Sequence, residues 1–287
     1  MTIWFQAIRI NTLVTTIIPI IMGSILSFKE NKFHFLSMAS TFLAAIFIQI
    51  GTNFANDYFD YKNGADTPHR LGPTRLTASG LITPKKMKYI MVLTFLFSIL
   101  CSSYIIWRCG TPIIIIGIIS IFMGILYTGG PYPLGYYGLG DILVLLFFGP
   151  IALAGTYYVQ VLEWSLPVIL LGISSGLFSV AILAVNNLRD IIEDSQTGKG
   201  TLAVRLGKRF VQIEFAICII LGSTLPFIID IYFNNTPNHW PLLTIIPGLK
   251  LIQLIMIKDG KELNNILGYT AKLYLLFMVL WCIGALF

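Results

Sequence analysis

The chain alternates long apolar runs with short polar connections. Bounding each run at its first charge, Gly or Pro places nine helical spans at about 12–28, 35–56, 87–107, 111–128, 141–162, 166–187, 210–232, 241–257 and 269–287. About 20 apolar residues cross the hydrocarbon core of a bilayer, so most of these runs have crossing length. Two connections are long and polar, 57–86 and 188–209, and they follow the second and sixth runs. The pattern predicts an all-α integral membrane protein: one bundle of nine helices over 1–287, capped by two loops on the same face. The first run lacks a basic leader and a clear cleavage site, so it reads as a retained helix, not a signal peptide.

Composition sharpens this. Of the 287 residues, 56% are hydrophobic and 11% charged, whereas a soluble domain carries about 25% charged residues. A water-soluble fold and a disordered chain are both excluded, the latter because low hydrophobicity is its signature. Nine spans use roughly 180 residues, which leaves no room for a soluble catalytic domain. The net charge of +6 would suggest nucleic acid in a soluble protein; here it orients the chain, and no nucleic-acid partner is expected. With a cytoplasmic N-terminus, Lys29, Lys32 and Arg108 lie outside, Lys250 falls within the eighth span, and every other Lys and Arg lies inside. Such a positive-inside bias predicts a multi-pass protein of the cell (inner) membrane with both long loops in the cytoplasm. Four scattered cysteines and three scattered histidines offer neither a disulfide framework nor a zinc cluster.

The two cytoplasmic connections hold six of the thirteen acidic residues: Asp57, Asp60, Asp66, Asp190, Glu193 and Asp194. On a helix turning about 100° per residue, Asn53, Asn56, Asp57 and Asp60 share an arc of roughly 100°. Asn187, Asp190 and Asp194 share roughly 60°, and Glu193 points off that stripe. Carboxylates at helix C-termini oppose the helix dipole, so ordinary capping explains both stripes poorly. Oxygen donors without His or Cys suit a hard cation, Mg²⁺ above all, shared with substrate phosphate. Arg70, Arg75, Arg189 and Lys199 lie close by and suit phosphate oxygens, although positive-inside topology also accounts for basic residues here, and Arg189 could pair with the acidic stripe instead.

These residues resemble the intramembrane aromatic prenyltransferases of the UbiA type. Asn56-Asp57-Tyr-Phe-Asp60 matches the start of that family's first motif, Asn-Asp-x-x-Asp-x-x-x-Asp, but Gly64 stands where the last Asp would be. Asp190 and Asp194 correspond to its second motif, Asp-x-x-x-Asp. The variant Gly64-Ala-Asp66, the flanks Val185–Asp190 and Gly198–Gly207, and the segment Tyr127–Asp141 followed by Phe147–Pro150 are similar to the menaquinone branch, the dihydroxynaphthoate polyprenyltransferases. Trp4, Ala7, Arg9, Thr12, Leu13 and Pro19 fit the family's opening segment, and the resemblance fades after about residue 210. It implies a Mg²⁺-dependent transfer of a polyprenyl group from its diphosphate to 1,4-dihydroxy-2-naphthoate, with loss of carbon dioxide and diphosphate. Asp57, Asp60, Asp190 and Asp194 would be catalytic, the same four with Asn53, Asn56 and Asn187 would hold metal, and Arg70, Arg75, Arg189 and Lys199 would bind diphosphate. Asp66 and Tyr127 would line the acceptor pocket. The long isoprenoid tail would leave sideways into the bilayer.

Two alternatives remain open from sequence. The acceptor could be 4-hydroxybenzoate or another quinone-precursor ring, which the missing Asp at position 64 disfavours. Paired acidic helix ends also describe a cation-coupled transporter or channel; transport sites sit near the midplane, whereas both clusters here sit on one face. The Gly- and Pro-rich stretch 129–140 reads as a tight connection, and Pro247-Gly248 reads as a break in the eighth span beside Lys250, whose head would snorkel or meet the broken backbone.

Overall fold

The computed structural model describes residues 2–67, 71–233 and 236–286. In chain order the α-helices are α1 (Thr2–Ile8), α2 (Ile10–Lys29), α3 (Phe35–Lys62), α4 (Pro84–Cys109), α5 (Thr111–Leu126), α6 (Gly140–Leu146), α7 (Ala152–Val161), α8 (Leu166–Arg189), α9 (Ile191–Gln196), α10 (Leu202–Leu206), α11 (Lys208–Phe233), α12 (Ile245–Ile257) and α13 (Leu263–Leu286). Single 3₁₀ turns at Leu134–Tyr137, Trp240–Thr244 and Gly260–Glu262 and a π-helical turn at Phe147–Ile151 complete the described regular structure. Eight segments are long and apolar enough to cross a membrane; the fourth expected span, Thr111–Leu126, is a 16-residue apolar helix. The protein is a multi-pass, all-α membrane protein, and its helices follow the apolar runs.

The departures have physical causes. The second span continues six residues beyond its expected end, to Lys62, because the polar motif stays helical. At 28 residues α3 is about 42 Å long, so it carries its acidic end clear of a hydrocarbon core about 30 Å thick. It stops at Gly64, whose φ of 69° closes the helix and lets the Ala65 amide donate to the Asp60 carbonyl. An Asp at this left-handed position would be strained. In the fifth span a π-helical turn, Phe147–Ile151, joins α6 to α7; Gly149 there takes φ −114°, ψ −108° before Pro150. The expected break at Pro247-Gly248 is absent: Pro247 lies in the first turn of α12, where an amide has no helical partner to lose.

Helices α3 and α4 pack along each other, as do α8 and α11, while α2 lies between α7 and α13. The largest buried cluster joins α2, α7, α8, α11 and α13, with Phe178 stacked on Tyr274. A smaller one gathers Ala7, Phe54, Leu76, Ile82, Met87 and Phe95 around the C-terminal half of α3 and the N-terminal half of α4. Between these two lies a cavity of about 620 Å³. Its walls are apolar residues of α2 to α8, such as Ile20, Ile48, Ile121, Phe147 and Ile182, and its polar end is built by the two motif loops.

Candidate active site

Both acidic stripes converge on that polar end. Asn53, Asn56 and Asp60 from α3, and Asn186, Asn187, Asp190 and Asp194 from α8 and α9, all line the cavity. The second stripe survives a change of helix at Asp190, because the Asp190 amide still donates to Asn186 and the Asp194 amide to Asp190. Gly198, at φ 78°, then turns the chain so that the Lys199 amide donates to the Asp194 carbonyl.

Asp60 is the centre of the site. Arg75 Nη2 and Lys199 Nζ donate to its Oδ2 at 2.7 and 3.1 Å, and the Tyr136 hydroxyl donates to its Oδ1 at 2.7 Å. Lys199 also lies over the Tyr136 ring. Burial and the Asp60 carboxylate push the Tyr136 phenol far above its usual range, so it remains a donor. Across the cavity, Arg189 grips both oxygens of Asp190 from Nε and Nη2 at 2.7 and 2.6 Å, and reaches Asn186 and Asn264. The alternative reading of Arg189 as a partner of the acidic stripe is therefore its place in the fold.

The two loops are fastened to each other. Asp60 of the first motif meets Lys199 of the second, and Glu193 Oε1 accepts from both the amide and the hydroxyl of Thr67. Gly72 passes so close to Arg189 that an added Cβ would sit 2.6 Å from Nη2. We expect Gly72→Ala to push Arg189 off Asp190 and destabilise the protein, measured as a lower melting temperature of the purified protein.

Two expected residues lie elsewhere. Asp57 does not line the cavity: its carboxylate accepts from the amides of Leu76 and Thr77 at 3.0 and 2.9 Å. Its helical angle, about 40° from Asn53, puts it at the edge of the stripe, within reach of the following loop. Asp66, expected in the acceptor pocket, instead lies 3.3 Å from Arg75 Nε and outside the cavity wall. Arg70 falls outside the described residues. Tyr127 does face the cavity; burial, and the carboxylates of Asp141, Asp60 and Asp194, push its phenol well above the usual range.

Sequence reasoning passed over Tyr136, Thr128, Asn186 and Asn264. Tyr136 lies in the Gly- and Pro-rich connection, where turn chemistry masked a functional side chain. Thr128 donates to Asn56 Oδ1 at 2.9 Å, and Asn264 bridges Arg189 to the Leu71 carbonyl. Asn53 spends its amide nitrogen on the Ile8 carbonyl and Thr12 Oγ1, which holds the left-handed break at Arg9, φ 54°, between α1 and α2.

Among the described residues no three His, Cys, Asp or Glu side chains crowd into a closed metal cage. Mg²⁺ does not need one: it takes one or two carboxylates, keeps water and shares substrate phosphate. Asp190 with Asp194 on one side, and Asp60 with the oxygens of Asn56 and Asn53 on the other, fit that requirement as hard oxygen donors at the mouth of an apolar cavity.

The sequence profile of the UbiA prenyltransferase family matches residues 16–278. The chain belongs to this family. Among its UbiA relatives, the 1,4-dihydroxy-2-naphthoate octaprenyltransferase of Haemophilus influenzae is 35% identical over 293 residues, covering 99% of this chain and 95% of its own. The enzyme of the same name from Escherichia coli is 33% identical over 290 residues, covering 98% and 94%. A solved UbiA homolog from Archaeoglobus fulgidus bound to GPP and Mg²⁺ superposes with a TM-score of 0.73 over 99% of each chain at 12% identity, which shows a common fold.

Proposed function

We propose that this UbiA protein transfers a polyprenyl group from an allylic polyprenyl diphosphate to 1,4-dihydroxy-2-naphthoate, releasing diphosphate and carbon dioxide and forming a demethylmenaquinol for menaquinone synthesis. The observation that carries the reading is the joining of two oxygen-rich stripes, with Arg75 and Lys199 between them, at the mouth of an apolar cavity in a chain 35% identical to an enzyme named for that acceptor. The chemistry a divalent metal, Mg²⁺ in this reading, would supply when bound is neutralisation of the charge that develops on the leaving diphosphate. Asp60, Asn56 and Asn53 would hold one ion, and Asp190, Asp194 and Asn187 the other.

The chain's own groups do the rest. Before substrate arrives, Arg75, Lys199 and Arg189 are held by Asp60 and Asp190. An arriving diphosphate offers Arg75 and Lys199 an anionic partner in a site that needs no rebuilding, while Arg189 keeps Asp190 in place. Departure of diphosphate leaves an allylic cation, which water would quench; the apolar wall, with Phe147 and Phe148 beside Tyr127, excludes water and presents aromatic faces. The electron-rich naphthol ring attacks from within the cavity. When attack falls on the carboxyl-bearing carbon, loss of carbon dioxide restores aromaticity without a protein base.

Purified protein with Mg²⁺, a long-chain allylic diphosphate and the naphthoate should form prenylated product, and EDTA should abolish it. Absence of product from any aromatic acceptor, together with ion or solute flux in liposomes, would return the transporter reading. The proposal also sets the site on the cytoplasmic side. Lys199 is nearly buried, so cysteines at the exposed Lys62 and Lys208 are the informative labelling sites. In a background lacking native cysteines both should react from the same side, and one at exposed Lys32 from the other. Labelling of Lys62 and Lys208 from opposite sides would dismantle the shared site.

A further inference from the structure

Three aspartates of the first motif segment converge on one arginine. Asp60 accepts from Arg75 Nη2, and Asp66 lies beside Arg75 Nε. Asp57, only 3% exposed, accepts from the two backbone amides that directly follow Arg75. The first of those two residues, Leu76, is fully buried in the cluster with Phe54, Met87 and Phe95. The turn carrying Arg75 is thus pinned twice, through its backbone by Asp57 and through a side chain by Leu76. Arg75 itself is 7% exposed, lines the cavity, and its Nη1 has no hydrogen-bond partner among the described residues. A buried guanidinium nitrogen without a partner, on an arginine that lines a cavity, marks the place of an anion.

We infer that Asp57 is a positioning residue: it holds the Arg75 turn so that Nη1 meets the phosphate end of the donor, and it does not ligate metal. The chemistry requires an aspartate. Two neighbouring amide donors need two acceptor oxygens, whereas Asn offers one oxygen and turns an NH₂ group toward the other amide. Unlike Asp60 and Asp190, whose oxygens also have partners, Asp57 does not line the cavity, where a metal shared with substrate would lie. That the anion is a prenyl diphosphate rests on the proposed function; that the turn positions Arg75 for a diphosphate does not depend on turnover.

The test is a double-mutant cycle read on binding of inorganic pyrophosphate to the purified full-length protein by calorimetry, over a series of Mg²⁺ concentrations. Asp57→Asn and Arg75→Ala should each weaken pyrophosphate about ten- to a hundredfold. The double variant should be no weaker than Arg75→Ala alone, because Asp57 acts through Arg75. The Mg²⁺ concentration for half-maximal binding should stay within about twofold in Asp57→Asn and rise in Asp60→Asn. Additive losses, or a raised Mg²⁺ requirement in Asp57→Asn, would make Asp57 a metal ligand and overturn the inference. Should Asp57→Asn fail to fold, Leu76→Ala loosens the same turn with every aspartate intact. It should weaken pyrophosphate without altering the Mg²⁺ requirement, and unchanged affinity would show that the turn does not position Arg75. Because pyrophosphate binding needs no acceptor, a protein that prenylates nothing would leave this cycle readable.

Discussion

Asp60→Asn should lower prenyl transfer by about a thousandfold or more while leaving a folded, membrane-inserted protein. Removal of one preorganised group at a developing charge already costs about 10²–10³, and Asp60 does more than one task. It is the carboxylate of its metal stripe that faces the cavity, and it gathers Arg75, Lys199 and Tyr136. An asparagine keeps one acceptor but no charge, so the two cations repel and a bound ion loses its anionic ligand. Folding should survive because Arg75 keeps Asp66 beside it and Leu76 still anchors the turn. Asp190→Asn should be comparably severe, since it removes the charge gripped by Arg189. Glu193→Gln should cost only a few-fold: its Oε1 meets Thr67 rather than the cavity, and a Gln oxygen accepts the same bonds. Turnover is measured with purified protein, and folding by monodispersity and thermal melting. Equal losses from Asp190→Asn and Glu193→Gln, or full activity without divalent metal, would reject the two-stripe site.

The contrast between Asp60 and Asp57 shows how far local pattern reaches. Nine spans were legible because an apolar run of crossing length has few other fates in water or lipid. Helical angle also told which side chains share a face, so Asn53, Asn56 and Asp60 could be grouped from spacing alone. It could not tell that Asp57, one position away from the wall, is caught by amides 19 and 20 residues further on. Long-range partners are the illegible part. Lys199 and Asp60 are 139 residues apart, and Thr67 and Glu193 are 126 apart; no periodicity encodes either. Arg189 shows the middle case: its neighbours made a bond to Asp190 and a bond to substrate equally readable, and packing against Gly72 and Asn264 decides for the first. Tyr136 was hidden for the opposite reason. Its loop has so strong a turn signature that the aromatic within it reads as spacing, whereas the 3₁₀ turn Leu134–Tyr137 aims its hydroxyl at Asp60.

With naphthoate labelled in its carboxyl carbon, prenylated product and labelled carbon dioxide should form in equal amounts. The carboxyl leaves from the carbon that the allylic cation attacks, so each new carbon–carbon bond breaks one bond to the label. The electron pair of that broken bond returns to the ring, and no proton need be removed. This suits the cavity, where the Tyr127 phenol is held protonated and the Asp60 and Asp190 carboxylates are already committed to cations. A parallel reaction with 4-hydroxybenzoate should run at least about a hundredfold slower, a difference of roughly 2.7 kcal/mol in barrier. That ring keeps its carboxyl and is prenylated beside the hydroxyl, so a proton must leave from the attacked carbon. Asp60 and Asp190 on the cavity wall are already held by cations and are poor bases for it. The ring must also sit differently against the cation, and misplacement by about 1 Å costs on the order of a hundredfold. Good turnover of 4-hydroxybenzoate without label release from naphthoate would reassign the acceptor and spare prenyl transfer. Product formed from naphthoate with the label retained would place attack on a different carbon, and the cavity would then have to supply the missing base.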